Sequence, residues 1–386
     1  MFQPISDRGH EDALVLSVYR DHGVIPKESR TDNFNRTPEN LGNYQLVQPG
    51  DLVVNRMKAW QGSLGVSEHR GIVSPDYEVL RPTDPAYDRR FLHSLLRSRP
   101  LIDQYALRST GIRPSQWRLY WDEMKTIEVS LPPAAEQRAI ADYLDRETAR
   151  IDNLIEEQQS LVLLLRERRV ATVVEALEGY EEIPLRRLVD RRRPMTYGIL
   201  QAGEPVEGGV PYIGPSDITG EGISPEREAL RTTTPEIASA YRRSVLAGGD
   251  LVVSIGPAYG KVAVVSDDLA GANLTQDTVR VALVPDVADK KFVVWSLLSR
   301  QTADHWDYQI MGATFRRLNL GTLARTPIPL VPLEEQRRIA AYLDERTAKI
   351  DALLAETELF IDLSKERRSA LITAAVTGQI DVRTAA

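Results

Sequence analysis

The chain repeats itself at a fixed interval, and no other feature limits its fold so strongly. The segment Glu136-Gln137-Arg138-Ala139-Ile140-Ala141-Asp142-Tyr143-Leu144-Asp145 returns 199 residues later as Glu335-Gln336-Arg337-Arg338-Ile339-Ala340-Ala341-Tyr342-Leu343-Asp344. The interval holds without a gap through Thr148/Thr347, Ile151-Asp152/Ile350-Asp351, Glu167-Arg168-Arg169/Glu366-Arg367-Arg368 and Gly179/Gly378. It also joins Gly50-Asp51-Leu52-Val53-Val54 to Gly249-Asp250-Leu251-Val252-Val253. Self-similarity at a fixed period means like structural units. Here the unit is a variable region followed by a constant one, twice over.

Each constant segment reads as one long helix. It follows proline (Pro132-Pro133, Pro332) and carries Glu136 or Glu334-Glu335 in its first turn, where carboxylates suit the positive end of the helix dipole. Apolar residues recur at three- and four-residue spacing: Ile140, Leu144, Ile151, Leu154, Leu161 and Leu165, then Ile339, Leu343, Ile350, Leu353 and Phe360. Neither segment holds an internal Pro or Gly, and each runs to a glycine, Gly179 or Gly378, suited to a helix end. A helix of about 44 residues is roughly 65 Å long, and its narrow apolar stripe predicts a coiled-coil seam. The simplest arrangement packs the two helices antiparallel, with a globular head at each end.

The variable regions mix short β-type runs, at 13–19, 51–55, 250–255, 261–266 and 278–284, with amphipathic helices at 89–97 and 290–298. The expected fold class is α+β. A first head over 1–130 precedes a long helix within 131–181; a second head over 182–330 precedes a long helix and tail over 331–386. An internal pseudo-twofold repeat relates the two halves.

A net charge of −7 argues against nucleic acid until the chain is divided. Residues 1–130 and 182–330 each hold 17 basic and 17 acidic side chains, whereas 131–181 holds 6 and 11, and 331–386 holds 8 and 10. The excess acid therefore lies in the helices, which suits them to protein partners and leaves the heads neutral. The absence of cysteine excludes disulfides, thiolate chemistry and Cys-ligated zinc, and the five histidines (His10, His22, His69, His93, His305) lack metal-ligand spacing. No apolar run approaches the roughly 20 residues that span a bilayer, and no signal-peptide pattern opens the chain. A cytoplasmic protein is expected.

Pro-Pro-x-x-Glu-Gln-Arg-x-Ile-Ala-x-Tyr-Leu-Asp, running on to Thr-x-x-Ile-Asp, resembles the conserved region of type I restriction–modification specificity subunits, and it occurs at 132–152 and again at 332–351. Gly209-Val210-Pro211-Tyr212-Ile213 with Ser216-Asp217-Ile218 resembles the opening of a target recognition domain in that family. Gly312-Ala313-Thr314 with Arg316-Arg317-Leu318-Asn319 resembles the block before its conserved helix. The resemblance implies two target recognition domains, each reading half of a bipartite double-stranded DNA site, with the helices as spacer. It implies docking of two modification (methyltransferase) subunits on the conserved regions, and of restriction (translocase–nuclease) subunits in the full complex. S-adenosylmethionine, ATP and Mg²⁺ would sit in those partners, and this chain would bind no cofactor or metal and carry no catalytic residue. One departure stands out. The second head opens with Ile183-Pro184-Leu185-Arg186-Arg187-Leu188-Val189-Asp190, and under the 199-residue interval the first has no counterpart, so the first head is expected to lack its N-terminal segment.

The candidate DNA contacts follow from position and residue type. Arg56, Lys58 and Gln61 follow the first head's strand, and Tyr259 and Lys261 follow the second's; loops after rigid strands suit groove reading, Arg for guanine and Gln for adenine. Arg113, Gln116 and Arg118 occupy the place before the first long helix that Arg316, Arg317 and Asn319 occupy before the second. Arg192, in the basic run 191–193 beside Arg186-Arg187, suits flanking phosphate, or else a solvated linker. Trp60 and Tyr259 are core residues on the alternative reading. Gln137, Arg138, Tyr143 and Asp152, with Gln336, Arg337, Tyr342 and Asp351, form either the partner interface or the seam between helices. Two other functions compete. Asp76, Glu123 and Lys125 make a loose metal-dependent nuclease pattern, and a coiled-coil scaffold without DNA affinity is also compatible with neutral heads. Gly256-Pro257-Ala258-Tyr259-Gly260-Lys261 imitates a P-loop but is one residue short between its glycines and ends in Val262 where Ser or Thr is needed.

Overall fold

Both heads are built on the same turn and strand. Gly50 and Gly249 adopt φ of +101° and +84°, conformations that L side chains rarely take, and turn the chain into the buried strands Leu52–Asn55 and Leu251–Ser254. The aspartate that follows each glycine locks the turn. Asp51 accepts from Gln48 N (2.8 Å) and from both arms of Arg81; Asp250 accepts from Ala247 N (2.8 Å) and from both arms of Arg193. The repeated Gly-Asp is thus a structural lock.

The computed structural model describes residues 1–30, 37–38, 40–113, 116–311 and 316–382, and packs into two units. Unit 1 is Met1–Gln159 with Glu358–Ala386, and unit 2 is Ser160–Thr357. Packing therefore does not follow the linear divisions at 131, 182 and 331: each unit takes one head and one half of each long helix.

In unit 1 an antiparallel sheet runs in the order Phe2–Pro4, Tyr77–Pro82, Leu52–Asn55, Leu64–Val66. In unit 2 the order Thr196–Tyr197, Thr278–Val281, Leu251–Ser254, Val262–Val264 repeats it. Leu52, Val54 and Leu64 pack on Phe91, Leu92 and Leu95 of helix Arg89–Leu96. Leu251, Val253 and Val262 pack on Phe292, Val293 and Leu297 of helix Lys290–Leu298. Each fully buried side chain contributes roughly 1.5–3 kcal/mol. Both helices are capped by an aspartate, Asp88 or Asp289, whose carboxylate accepts the first-turn N–H groups. The expected α+β heads are present. Unit 1 adds the two-stranded pairs Leu16–Tyr19/Gly23–Pro26 and Gln45–Val47/Gly71–Val73, and unit 2 a three-stranded sheet around Val210–Ile213.

The constant segments form helices Ala134–Leu177 and Leu333–Val376, each followed by a glycine at positive φ, Gly179 at +86° and Gly378 at +73°. Unit 1 sets Ile140 and Leu144 of the first against Ala375 and Val376 of the second; unit 2 sets Val173 and Leu177 against Ile339, Ala340 and Leu343. The start of one helix thus lies by the end of the other, antiparallel as expected. The seam corrects the sequence reading. Leu154, Leu161, Leu353 and Phe360 are 45%, 39%, 49% and 43% exposed, while Val162, Thr172, Thr347, Thr357 and Ile361 are buried. The buried face runs through 144, 148, 151, 155, 158, 162 and 165, and again through 343, 347, 350, 354, 357, 361 and 364. This alternation of four and three is a true heptad. Polar residues at several of its positions hide it from an apolar-only reading. At its edges Asp152 pairs with Arg368 (2.8 Å) in unit 1, and Arg169 with Asp351 (2.8 Å) in unit 2: one ion pair, repeated.

The departure at the start of the first head also resolves in packing. In unit 2, Glu182–Pro184 pairs with Pro327–Pro329, and Leu185 and Leu188 are buried with Leu297, Trp306 and Leu323. In unit 1 the counterpart of Ile183 is Val382, which lies in the first head's core with Ile380 against it. The residue after the second helix completes the first head, as the residue after the first helix completes the second. In unit 1, Met1, Phe2, Leu96, Tyr105, Trp121 and Met124 line a cavity of about 290 Å³.

Candidate nucleic-acid interface

The two loop sets predicted to touch DNA are far apart in sequence, and each unit brings its own pair together. In unit 1, Leu119 N donates to Arg56 O (2.9 Å), joining the loop before the long helix to the loop after the buried strand. In unit 2, Leu318 N donates to Ile255 O (3.0 Å), and the four residues are related by the 199-residue interval. Trp60 and Trp117 reinforce the junction in unit 1, edge to face at 5.4 Å. Trp60 is half-buried here and braces the junction.

Unit 1 carries a polar cleft of about 930 Å³ beside this junction. Asn55, Lys58 and Gln61 line one side, with Lys58 and Gln61 exposed. Arg56 does not reach it as a free cation: its guanidinium donates to Pro75 O (2.6 Å) and Asp76 O (3.0 Å) and faces Glu78 (3.7 Å). Its role is to tie the post-strand loop to its neighbour, which corrects its assignment as a reader. Arg113 and Gln116 are exposed on a loop closed by paired main-chain bonds between Thr110 and Arg118, where Arg118 is half-buried. Pro114 and Ser115 lie outside the described residues. Ile112, absent from the sequence reading, is 95% exposed at the start of this loop, and Met311, one interval on, is 72% exposed.

In unit 2 the post-strand loop is locked by Ser254, whose hydroxyl donates to Ala258 O (2.7 Å) and accepts from Lys261 N (2.9 Å). Tyr259 donates its hydroxyl to Asp307, and burial together with that bond raises its pKa. Lys261 donates to Pro215 O (3.1 Å) but remains exposed. Arg316 is exposed, with Asp307 4.0 Å away; Arg317 binds Gln276 O (3.0 Å) and Asp277 (3.3 Å). Asn319 caps helix Leu320–Arg325 by accepting from Thr322 N (2.8 Å), so its carboxamide oxygen is already engaged; this corrects its placement among the base readers. Gly312, Ala313, Thr314 and Phe315 lie outside the described residues. In the basic run Arg193 is locked on Asp250, while Arg192 is exposed on a turn whose N–H donates to Asp190 (2.8 Å). The run is thus part lock and part surface.

The eight helix residues separate into four kinds. Gln137 and Gln336 are 2% and 3% exposed, and neither faces a partner nor the seam. Gln137 accepts from Asp88 N (3.1 Å) and donates to Pro132 O (2.9 Å); Gln336 accepts from Asp289 N (2.8 Å) and donates to Val287 O and Val331 O (both 3.0 Å). They pin each long helix to its head, a correction to both alternatives. Asp152 and Asp351 edge the seam. Arg138, Arg337 and Tyr342 are exposed, whereas Tyr143 packs on the unit 1 core. The surface set missed in the sequence is the repeat-related exposed triplet Leu154/Leu353, Leu161/Phe360 and Leu164/Leu363.

The nuclease pattern is not assembled. Asp76 lines the polar cleft, while Lys125 lines the separate apolar cavity and pairs with Asp122 (2.5 Å). Among the described residues no three His, Asp or Glu side chains gather as for a metal ion, and no helix is long and apolar enough to cross a membrane.

The family model described as type I restriction modification DNA specificity domain matches residues 202–358. The chain is 23% identical over 380 residues to the type I restriction enzyme EcoBI specificity subunit of Escherichia coli, covering 91% of this chain and 77% of that one. It is 22% identical over 365 residues to the type I restriction enzyme MjaVIII specificity subunit of Methanocaldococcus jannaschii, covering 86% and 81%. Among solved structures, a chain from work on complex assembly and conformational transition of the type I R-M system superposes with a TM-score of 0.74 over 98% of both chains, at 16% identity. The HsdS subunit from Thermoanaerobacter tengcongensis gives 0.59 over 98% of this chain and 97% of that one, also at 16% identity.

Proposed function

The chain belongs to the type I restriction–modification DNA specificity family, and from that premise we propose that it reads a split DNA site, one half with each unit, for a modification complex. One observation carries this reading furthest. In each unit the same interval-related hydrogen bond joins two loops that differ in sequence between the heads. A constant scaffold thus presents two different polar surfaces, as a bipartite reader requires. Lys58, Gln61, Arg113 and Gln116 would face one half-site, and Lys261, Arg316 and Arg317 the other, with Arg192 on flanking phosphate.

The long helices would set the unspecified gap and dock two modification subunits, with restriction subunits joining the complete assembly. The exposed triplets of leucine and phenylalanine supply apolar contact on both helices, and Arg138, Arg337 and Tyr342 a polar margin. S-adenosylmethionine, ATP and Mg²⁺ would belong to those partners, this chain contributing no catalytic group. The test is the methylome of a host co-expressing the chain with its modification subunit. A methylated motif of two short defined halves around a fixed gap is expected. No methylation from a complex containing both subunits would sink the reading.

A further inference from the structure

The hairpin of residues 16–26 has no part in the loops considered above, yet it forms the facing wall of the unit 1 cleft. Strands Leu16–Tyr19 and Gly23–Pro26 pair through Val18↔Val24 and Tyr19↔Gly23, leaving Arg20, Asp21 and His22 exposed at the turn. Behind it the hairpin is clamped. Arg97 donates to Leu64 O (2.7 Å), Tyr19 O (3.4 Å) and Arg20 O (2.5 Å), joining the turn to the neighbouring strand through main-chain carbonyls alone. The His93 ring fills the space over Gly23, where an added Cβ would come within 2.6 Å of it. A guanidinium drawn partly out of water is costly unless its geometry is needed. Here it fixes three acceptors that no apolar side chain would satisfy.

In front, among the described residues, the cleft is lined by Arg20, Lys27, Arg30 and Lys58 against two carboxylates, Asp21 and Asp76. Arg30 lies over the Tyr19 ring at 5.2 Å, Lys27 donates to Thr37 (2.9 Å), and Arg20 pairs with Asp21 (3.1 Å). Asn55 and Gln61, each able to present a donor and an acceptor together, stand in the same cleft. A polar cleft whose described lining carries more cations than carboxylates fits a polyanion with readable edges. A two-stranded ribbon is also one of the elements the major groove admits.

We propose that this hairpin is the second wall of the unit 1 reading cleft: Lys27 and Arg30 engage phosphates, Asn55 and Gln61 meet base edges, and Arg97 is the positioning residue that holds the wall in place. The inference rests on the chain being a DNA reader. Its test uses the full chain in complex with its modification subunit, measuring affinity for a duplex carrying the methylated site as salt is varied. Replacing Lys27 and Arg30 together by alanine should weaken binding about tenfold or more and reduce the salt slope by roughly two. Gln61→Ala or Asn55→Ala should relax methylation at one half of the motif and leave the salt slope unchanged. Arg97→Lys keeps the charge but not the fork, and should blur the same half while the thermal midpoint of unit 2 stays in place. Wild-type affinity and slope for the Lys27/Arg30 variant, with weakened binding for a Lys261→Ala, Arg316→Ala control, would overturn the hairpin proposal and leave DNA reading intact. Wild-type binding by both would overturn DNA reading itself.

Discussion

His93 is the imidazole most altered by its surroundings. Burial, and after it the charge of Arg97, lowers its pKa from 6.5 to about 4, so it folds as a neutral ring against Gly23 and Gly65. Because the folded pKa is depressed, the unfolded chain binds the proton more readily. The contribution is complete above the unfolded pKa and is lost as pH falls through the window between 6.5 and about 4. Acidifying from pH 7 to about pH 5 should therefore cost unit 1 about 2 kcal/mol through this residue. Urea unfolding of the protein and of His93→Gln at both pH values checks it. Equal pH dependence in the two would remove His93 as the cause. Residue chemistry was the least legible level. Arg56, Asn319, Gln137 and Gln336 are the residue types that read DNA or face partners, yet main-chain groups 2.6 to 3.1 Å away engage them inside the fold. No sequence pattern distinguishes an arginine committed to carbonyls from one awaiting a phosphate.

At the scale of elements, the long helices show why periodicity reveals existence better than facing. Length, proline start and glycine end were all readable, because each depends on local backbone chemistry. The buried face was not, since Thr148, Gln158 and Thr357 occupy seam positions while Leu154 and Leu161 lie outside. A threonine can join a helix seam by donating its hydroxyl to the carbonyl four residues back, as Thr148, Thr347 and Thr357 do at 2.7 Å. The exposed triplets then form an apolar stripe with no internal reason to exist. Leu161→Glu with Phe360→Glu should leave the unfolding free energy within about 1 kcal/mol of wild type, as surface changes do, while abolishing co-purification with the modification subunit. Retained co-purification would place the docking surface elsewhere.

For the whole molecule, the repeat was the most legible feature, because a 199-residue interval specifies two like units whatever their loops do. The way the units share the helices was hidden, since it depends on which half of each helix packs with which head. The heptad seam sharpens a prediction about spacing. Adding seven residues to both helices, between 155 and 162 and between 354 and 361, preserves the four-and-three alternation, whereas adding a single turn of four would not. Seven residues extend a helix by about 10 Å, close to three base pairs of duplex. The methylated motif should keep both halves and gain about three unspecified pairs. An unchanged gap would mean that the helices do not set it.

Unit 2 is one continuous stretch, Ser160–Thr357, whereas unit 1 draws Ala375, Val376 and Val382 into the core of a head that begins at Met1. On the ribosome, where chains emerge in order, the half made first is therefore finished last. Its core, with Ile140 and Leu144, waits for Ala375, Val376 and Val382 to be made. Loss of the stretch from Ala375 to Val382 would strip those side chains from the core of the first head.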